Sequence, residues 1–227
     1  MSLLHSFLFG VYPYIAATVF LLGSLIRFER EQYTWKSDSS QLLYHGRLRL
    51  GSILFHVGIL GLFLGHLVGL LTPVAFWDAL GISHGFKQQV AMVAGGVMGT
   101  LCLIGLVILL QRRLAHARLA AVTTRGDKLL LAWLLITLLL GLSTIAVSAE
   151  HLDGHVMVQL MAWAQHVTTF RGDASSYIVD IPLVYKAHLF MGLTLFLIFP
   201  FTRLVHVWSG LASVTYLGRA WQLVRPR

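Results

Sequence analysis

The chain has 227 residues, 57% of them hydrophobic and 11% charged, with a formal net charge of +8. A soluble domain carries about a quarter charged residues, so too little polar surface is present to hold this chain in water, and a bilayer is its expected solvent. The basic excess invites a nucleic-acid partner, but the basic residues gather in alternate connections between apolar stretches, which excludes that reading.

In chain order, five stretches reach the roughly 20 apolar residues that a membrane span needs, near 7–27, 50–71, 89–111, 129–149 and 183–207. None holds an acidic residue, and their basic residues lie near their ends. The first lacks a basic n-region, carries Pro13 early and shows no small-residue cleavage site before Arg27–Arg30, so it reads as a retained helix rather than a signal peptide. The second carries Gly58, Gly61, Gly65 and Gly69 as one stripe, and the third carries Gly95, Gly96, Gly99 and Gly105. Such stripes serve either close helix packing or a groove that admits a flat macrocycle, and spacing alone does not choose between them. Cys102, the lone cysteine, lies in the third stretch as a small packing residue. One thiol cannot hold an iron–sulfur cluster, so any such cluster belongs to a partner. Between the fourth and fifth stretches, Val156–Phe170 is apolar but too short to span. It reads as a helix lying in the membrane interface, with a cap folded over the helix ends as the alternative.

The fold expected is all-α, a five-helix transmembrane bundle formed by a single domain over 1–227. The segment 27–49 holds Arg27, Arg30, Lys36, Arg47 and Arg49; segment 111–128 holds Arg112, Arg113, Arg118, Arg125 and Lys128; the C-terminal end holds Arg203, Arg219, Arg225 and Arg227. The remaining connections hold only Lys87, Arg171 and Lys186. That asymmetry is the positive-inside bias, and it predicts an N-terminus outside (periplasmic) and a C-terminus in the cytoplasm.

Seven of the eleven histidines lie in connections or at the N-terminus. The other four, His56, His66, His188 and His206, sit on the second and fifth spans. One such histidine could simply hydrogen-bond a carbonyl, but an ionisable residue within a span usually has a specific partner. Four on two helices, with no acidic residue in any span, suit two bis-histidine haems better than a proton relay. At 1.5 Å per residue, His66 and His188 fall at matching depths toward the outer face. The inner pair fits less well, because His56 to His66 covers about 15 Å of helix and His188 to His206 about 27 Å. A tilted fifth helix, or offset ligation across the macrocycle, would absorb the difference.

The segments YPYIAATVFLLGS at 12–24, QYTW at 32–35, FHVGILGLFLGHLVGLLTP at 55–73, KQQVAMVAGG at 87–96, LCLIG at 101–105, HLFMGLTLFLIFPFTRLVHVWS at 188–209 and YLGRAWQLVR at 216–225 resemble the gamma subunit, a cytochrome b, of membrane-bound respiratory nitrate reductase. The resemblance covers essentially the whole chain and keeps all four histidines. It implies a multi-pass protein of the bacterial cytoplasmic (inner) membrane holding two b haems, the outer by His66 and His188 and the inner by His56 and His206. It further implies a cytoplasmic beta subunit with iron–sulfur clusters and an alpha subunit with a molybdenum cofactor. Quinol (menaquinol or ubiquinol) would be oxidised near the outer haem, with its protons leaving outside. Each electron crossing inward would work against about 2.3 kcal/mol per 100 mV.

The same resemblance makes Lys87 a quinol-oxygen ligand, where the residue alone reads as a snorkelling anchor, and lets Gly65 beside His66 leave room for the ring. Arg203, three residues before His206 on one helix face, and Arg112 become candidates for haem propionates, against the ordinary reading of inner-face anchors. Three other readings stand beside this one. They are a histidine-based transporter or proton relay, a dihaem quinone-linked subunit of a sulfite- or heterodisulfide-type reductase, and a purely structural anchor.

Overall fold

The computed structural model describes residues 2–31 and 46–208. QYTW at 32–35, the segment 216–225, and Lys36, Arg219, Arg225 and Arg227 lie outside the described residues. The regular elements among those described are all helical. They are α1 (Leu3–Glu31), α2 (Leu48–Leu71), α3 (Val74–Ala79), α4 (His84–Ala115), α5 (Ala117–Val122), α6 (Arg125–Glu150), α7 (His155–Thr168) and α8 (Leu183–Ile198). Five of them, α1, α2, α4, α6 and α8 with its extension to Phe201, are long and apolar enough to cross a membrane.

The spanning helices pack as an open arc in the order α2, α4, α6, α8, α1, and α2 with α4 is the most extensive pair. That pair is close because Gly58 and Gly105 face backbone. A Cβ on Gly58 would collide with the Cys102 backbone, and one on Gly105 with the Phe55 backbone. Cys102 is buried at this contact beside Leu106 and Leu138, as expected of a packing residue. The glycine stripe of α2 therefore divides. Gly58 and Gly61 press on α4, whereas a Cβ on Gly65 or Gly69 would meet nothing.

The amphipathic stretch after α6 forms α7, which opens at Gly154 with a φ of 80°. It folds over one end of the bundle as the cap. Met161, Trp163 and Ala164 are buried, and its polar side chains satisfy backbone groups that a membrane helix leaves unpaired at its end. The Gln165 amide donates to the Leu70 and Thr72 carbonyls at the end of α2. Pro13 has no N–H to offer the Phe9 carbonyl four residues earlier, and that carbonyl accepts the Trp163 indole N–H at 2.9 Å. A π-turn at Phe7–Val11 precedes the proline.

The fifth span is not one continuous helix to residue 207. Pro200 cannot donate back to the chain. The α-helix stops at Ile198, short 3-10 turns follow at Phe199–Phe201 and Arg203–Val205, and Thr202 between them is extended (φ −121°, ψ 177°). His206 thus stands beyond an interruption rather than on the helix that carries His188.

Candidate functional site: two facing histidine pairs

Helix α2 is held by α4, and α8 by α1 and α6; no comparable packing joins α2 to α8. All four intramembrane histidines meet between these two helices. His66 faces His188 with ring centroids 6.0 Å apart, and His56 faces His206 at 6.2 Å. The rings meet in the same two pairs that the sequence suggests, including the one whose straight-helix depths do not match.

The hydrogen bonds fix the tautomer of each ring. A carbonyl can only accept, so a ring nitrogen facing one must carry the proton. Nδ1 of His56 donates to the Ser52 carbonyl (2.7 Å), His66 to Leu62 (2.7 Å), His188 to Thr137 (3.0 Å) and His206 to Arg203 (2.6 Å). In the neutral ring Nε2 is then the lone-pair nitrogen, the arrangement of metal-bound histidines whose other nitrogen is anchored to a carbonyl. Two metal–nitrogen bonds of about 2 Å, with the metal midway between facing imidazoles, place the ring centroids about 6 Å apart. No group of three or more His, Cys, Asp or Glu residues that could hold a metal occurs among the described residues. Zinc or copper would call for three or four protein ligands. A pair of opposed imidazoles suits an iron whose remaining ligands come from a porphyrin.

Lys87 lies at the His66 end. Its side chain is turned into the protein rather than out to the surface, with 8% exposure, so it is not a snorkelling anchor. The ammonium donates to the Gly69 carbonyl (3.1 Å) and to Met161 Sδ (2.9 Å), and sits 4.6 Å from the centre of the Trp77 ring. Gly69 is one turn along α2 from His66. No carboxylate among the described residues lies within ion-pair distance of Lys87. The result is a buried cation beside a histidine pair, next to the open backbone of Gly65 and Gly69.

The same histidines and lysine fall within the sequence shared with known proteins. A family model described as nitrate reductase gamma subunit matches residues 5–227. The respiratory nitrate reductase 1 gamma chain of Escherichia coli is 50% identical over 227 residues, covering all of both chains. The nitrate reductase gamma chain of Bacillus subtilis is 36% identical over 97% of each. The nitrate reductase-like protein NarX of Mycobacterium tuberculosis is 34% identical over 96% of this chain, which matches 33% of that larger protein. This chain belongs to the nitrate reductase gamma subunit family.

As a gamma subunit, the chain is one component of a nitrate reductase complex. Two residues expected at propionates have different surroundings. The Arg203 guanidinium is engaged by Asp127, with Nε to Oδ1 at 2.7 Å and Nη2 to Oδ1 at 2.5 Å. The Arg203 carbonyl also accepts from His206. Arg112 is buried near the end of α4, at the His56 end of the bundle.

Sequence reasoning assigned nothing to α6, yet two of its residues seat His188. Thr137 supplies the carbonyl, and Gly141, one turn on, gives the ring its space: a Cβ there would lie 2.8 Å from His188 Cε1. A glycine set in the leucine-rich run 138–142 was the available signal. Outside the spans, the cap loop is closed by His166, which donates from Nδ1 to Asp173 at 2.7 Å. That bond holds the exposed Asp173 carboxyl below its ordinary range.

Proposed function

We propose that this chain is the dihaem cytochrome b anchor of a respiratory nitrate reductase, oxidising quinol near the outer membrane face and delivering electrons to a cytoplasmic iron–sulfur and molybdenum pair of subunits. The reading rests above all on the two ring pairs, whose centroid separations of 6.0 and 6.2 Å suit an iron between them, with each Nδ1 bonded to a carbonyl. His66 and His188 would hold the outer b haem, and His56 and His206 the inner one. Haem iron supplies one-electron transfer when bound. The positive-inside distribution supports an orientation with the N-terminus periplasmic and the C-terminus in the cytoplasm, in the bacterial inner membrane.

Lys87 is the group for a quinol (menaquinol or ubiquinol). Its ammonium orients a quinol oxygen beside the His66–His188 pair, and Gly65 and Gly69 offer backbone without side chains for the flat ring to approach. Released protons have a short way to the outer face from there. Arg112, buried at the opposite end, and Arg203 beside His206 are the candidates for an inner propionate.

Pyridine haemochrome measurement on the purified complex, reading the b haem alone, tests the core. Two b haems are expected, falling to one in His66→Ala and one in His56→Ala; a wild-type complex without b haem overturns the proposal. Lys87→Ala should retain both haems while quinol oxidation drops by roughly 10- to 100-fold, the worth of a charged hydrogen bond of about 1.5–3 kcal/mol. Loss of a haem in that variant would make the lysine structural.

A further inference from the structure

His206 reaches His56 from the far side of the interruption in the fifth span, and two charged side chains from other helices hold that interruption in place. Breaking a helix inside a membrane strips carbonyls of their partners, which costs several kcal/mol for each one left bare. Arg27, on α1, takes two of them: its Nη1 donates to the Pro200 carbonyl at 2.6 Å and to the Thr202 carbonyl at 2.9 Å. The approach is close because Gly23 on α1 faces the proline, where a Cβ would lie 2.9 Å from Pro200 Cγ. Phe20 adds an edge-to-face contact on Phe199, with centroids 4.9 Å apart.

The second hold comes from Asp127 at the start of α6. Its own position is set by a capping box with Thr124, in which each backbone N–H meets the other's side chain. One carboxylate oxygen takes both Nε and Nη2 of Arg203, and the other pairs with Arg113 at 3.5 Å. Arg203 then passes the restraint on directly, since its carbonyl accepts the Nδ1 proton of His206. Asp127 is 11% exposed at the side chain, too enclosed for a solvated surface charge.

We infer that Arg27 and Asp127 are positioning residues for the His56–His206 site, holding the broken end of the fifth span so that the His206 ring faces His56. A straight helix would carry His206 about 27 Å along from His188, against about 15 Å between His66 and His56. The break redirects the chain, and the two charged holds fix where the redirected segment stands. Their described contacts run to Pro200, Thr202 and Arg203. Each acts through the Pro200–Arg203 backbone. The inference rests on the dihaem reading proposed above.

The test uses the purified, haem-loaded complex with Asp127→Asn, Asp127→Glu, Arg27→Gln, Arg27→Lys and the double variant Asp127→Asn/Arg203→Gln. Low-spin haem g values and redox titrations are recorded, and each signal is assigned by its loss in His56→Ala or His66→Ala. Asp127→Asn and Arg27→Gln should each alter the g values of the His56-dependent signal. Each should also move its redox equilibrium by roughly tenfold, about 59 mV for one electron, or abolish that signal, with the His66-dependent signal unchanged. Asp127→Glu and Arg27→Lys should restore most of the wild-type spectrum, and the double variant should be no worse than Asp127→Asn alone. Unchanged g values and potentials overturn the inference. So do opposite potential shifts with unchanged g values, which would mark a charge field without repositioning, or equal changes in both haems, which would mark general loosening. A wild-type complex lacking both signals overturns the dihaem reading itself.

Discussion

The two histidine pairs look alike at their rings and differ in what supports them. His66 and His188 sit on uninterrupted helices. The one unusual support there carries no charge: the α6 backbone accepts a hydrogen bond at Thr137 and leaves room for the His188 ring at Gly141. His206 follows a 3-10 turn beyond a proline, held by an arginine on α1 and an aspartate on α6. The first pair is placed by steric fit and the second by charge. Steric fit responds to volume and charge pairing to substitution of one partner, so the pairs should fail under different changes.

The sharpest way to separate them is Gly141→Leu. The added side chain occupies the space of the His188 imidazole, and the haemochrome content should fall from two to one with the His56-dependent signal intact. Loss of both haems would show that the pairs share one support. Gly141→Ala, whose single Cβ meets a ring edge at 2.8 Å, should keep the haem but shift its g values. Trp163→Phe tests whether the cap stabilises the His66 end alone. Removing one indole bond to the Phe9 carbonyl should cost about 1 kcal/mol of stability, read as a lower thermal midpoint with both haems spectrally unchanged. Ser52→Ala should do least. The Ser52 hydroxyl is 3.3 Å from His56 Nδ1, whereas the Ser52 carbonyl, which the substitution keeps, is at 2.7 Å. Retention of the His56-dependent spectrum is expected, and a change would give the hydroxyl a role the distances do not. Finally, acid should loosen the cap loop slightly. Asp173 is held below its ordinary value by His166. Its contribution is therefore present above the usual carboxylate range of about 4 and is lost as pH falls through its lowered value. Limited proteolysis of 169–182 against pH would detect it.

Much of this was legible in the sequence because lipid makes polar residues conspicuous. Five apolar runs and four histidines without an acidic companion were enough to pair the rings. The mismatch of the inner pair was an artefact of assuming a straight fifth helix. Pro200 was there to be read, but the bracing partners Arg27 and Asp127 lie 173 and 76 residues from the groups they hold, beyond any local pattern. Arg203 illustrates the limit from the other side. Its charge and proximity to His206 were plain, whereas its commitment to Asp127 depends on how α6 meets the end of the fifth span. For the glycines, periodicity showed a stripe on α2 but not what stood opposite. Only packing separates Gly58, pressed on a backbone, from Gly65, which faces none. The stretch after α6 reads from sequence as an apolar helix lying in the interface with a cap as the alternative, and the bonds of Gln165 and Trp163 to carbonyls at the helix ends favour the cap.

The Lys87 ammonium has three N–H bonds, and the fold uses two of them, on Gly69 and Met161. Tetrahedral geometry then dictates where the remaining one points before any substrate arrives. A free lysine gives up about 2 kcal/mol of rotamer entropy when it is immobilised. Here that loss is settled during folding, so on the proposed function a quinol oxygen would meet a donor already aimed.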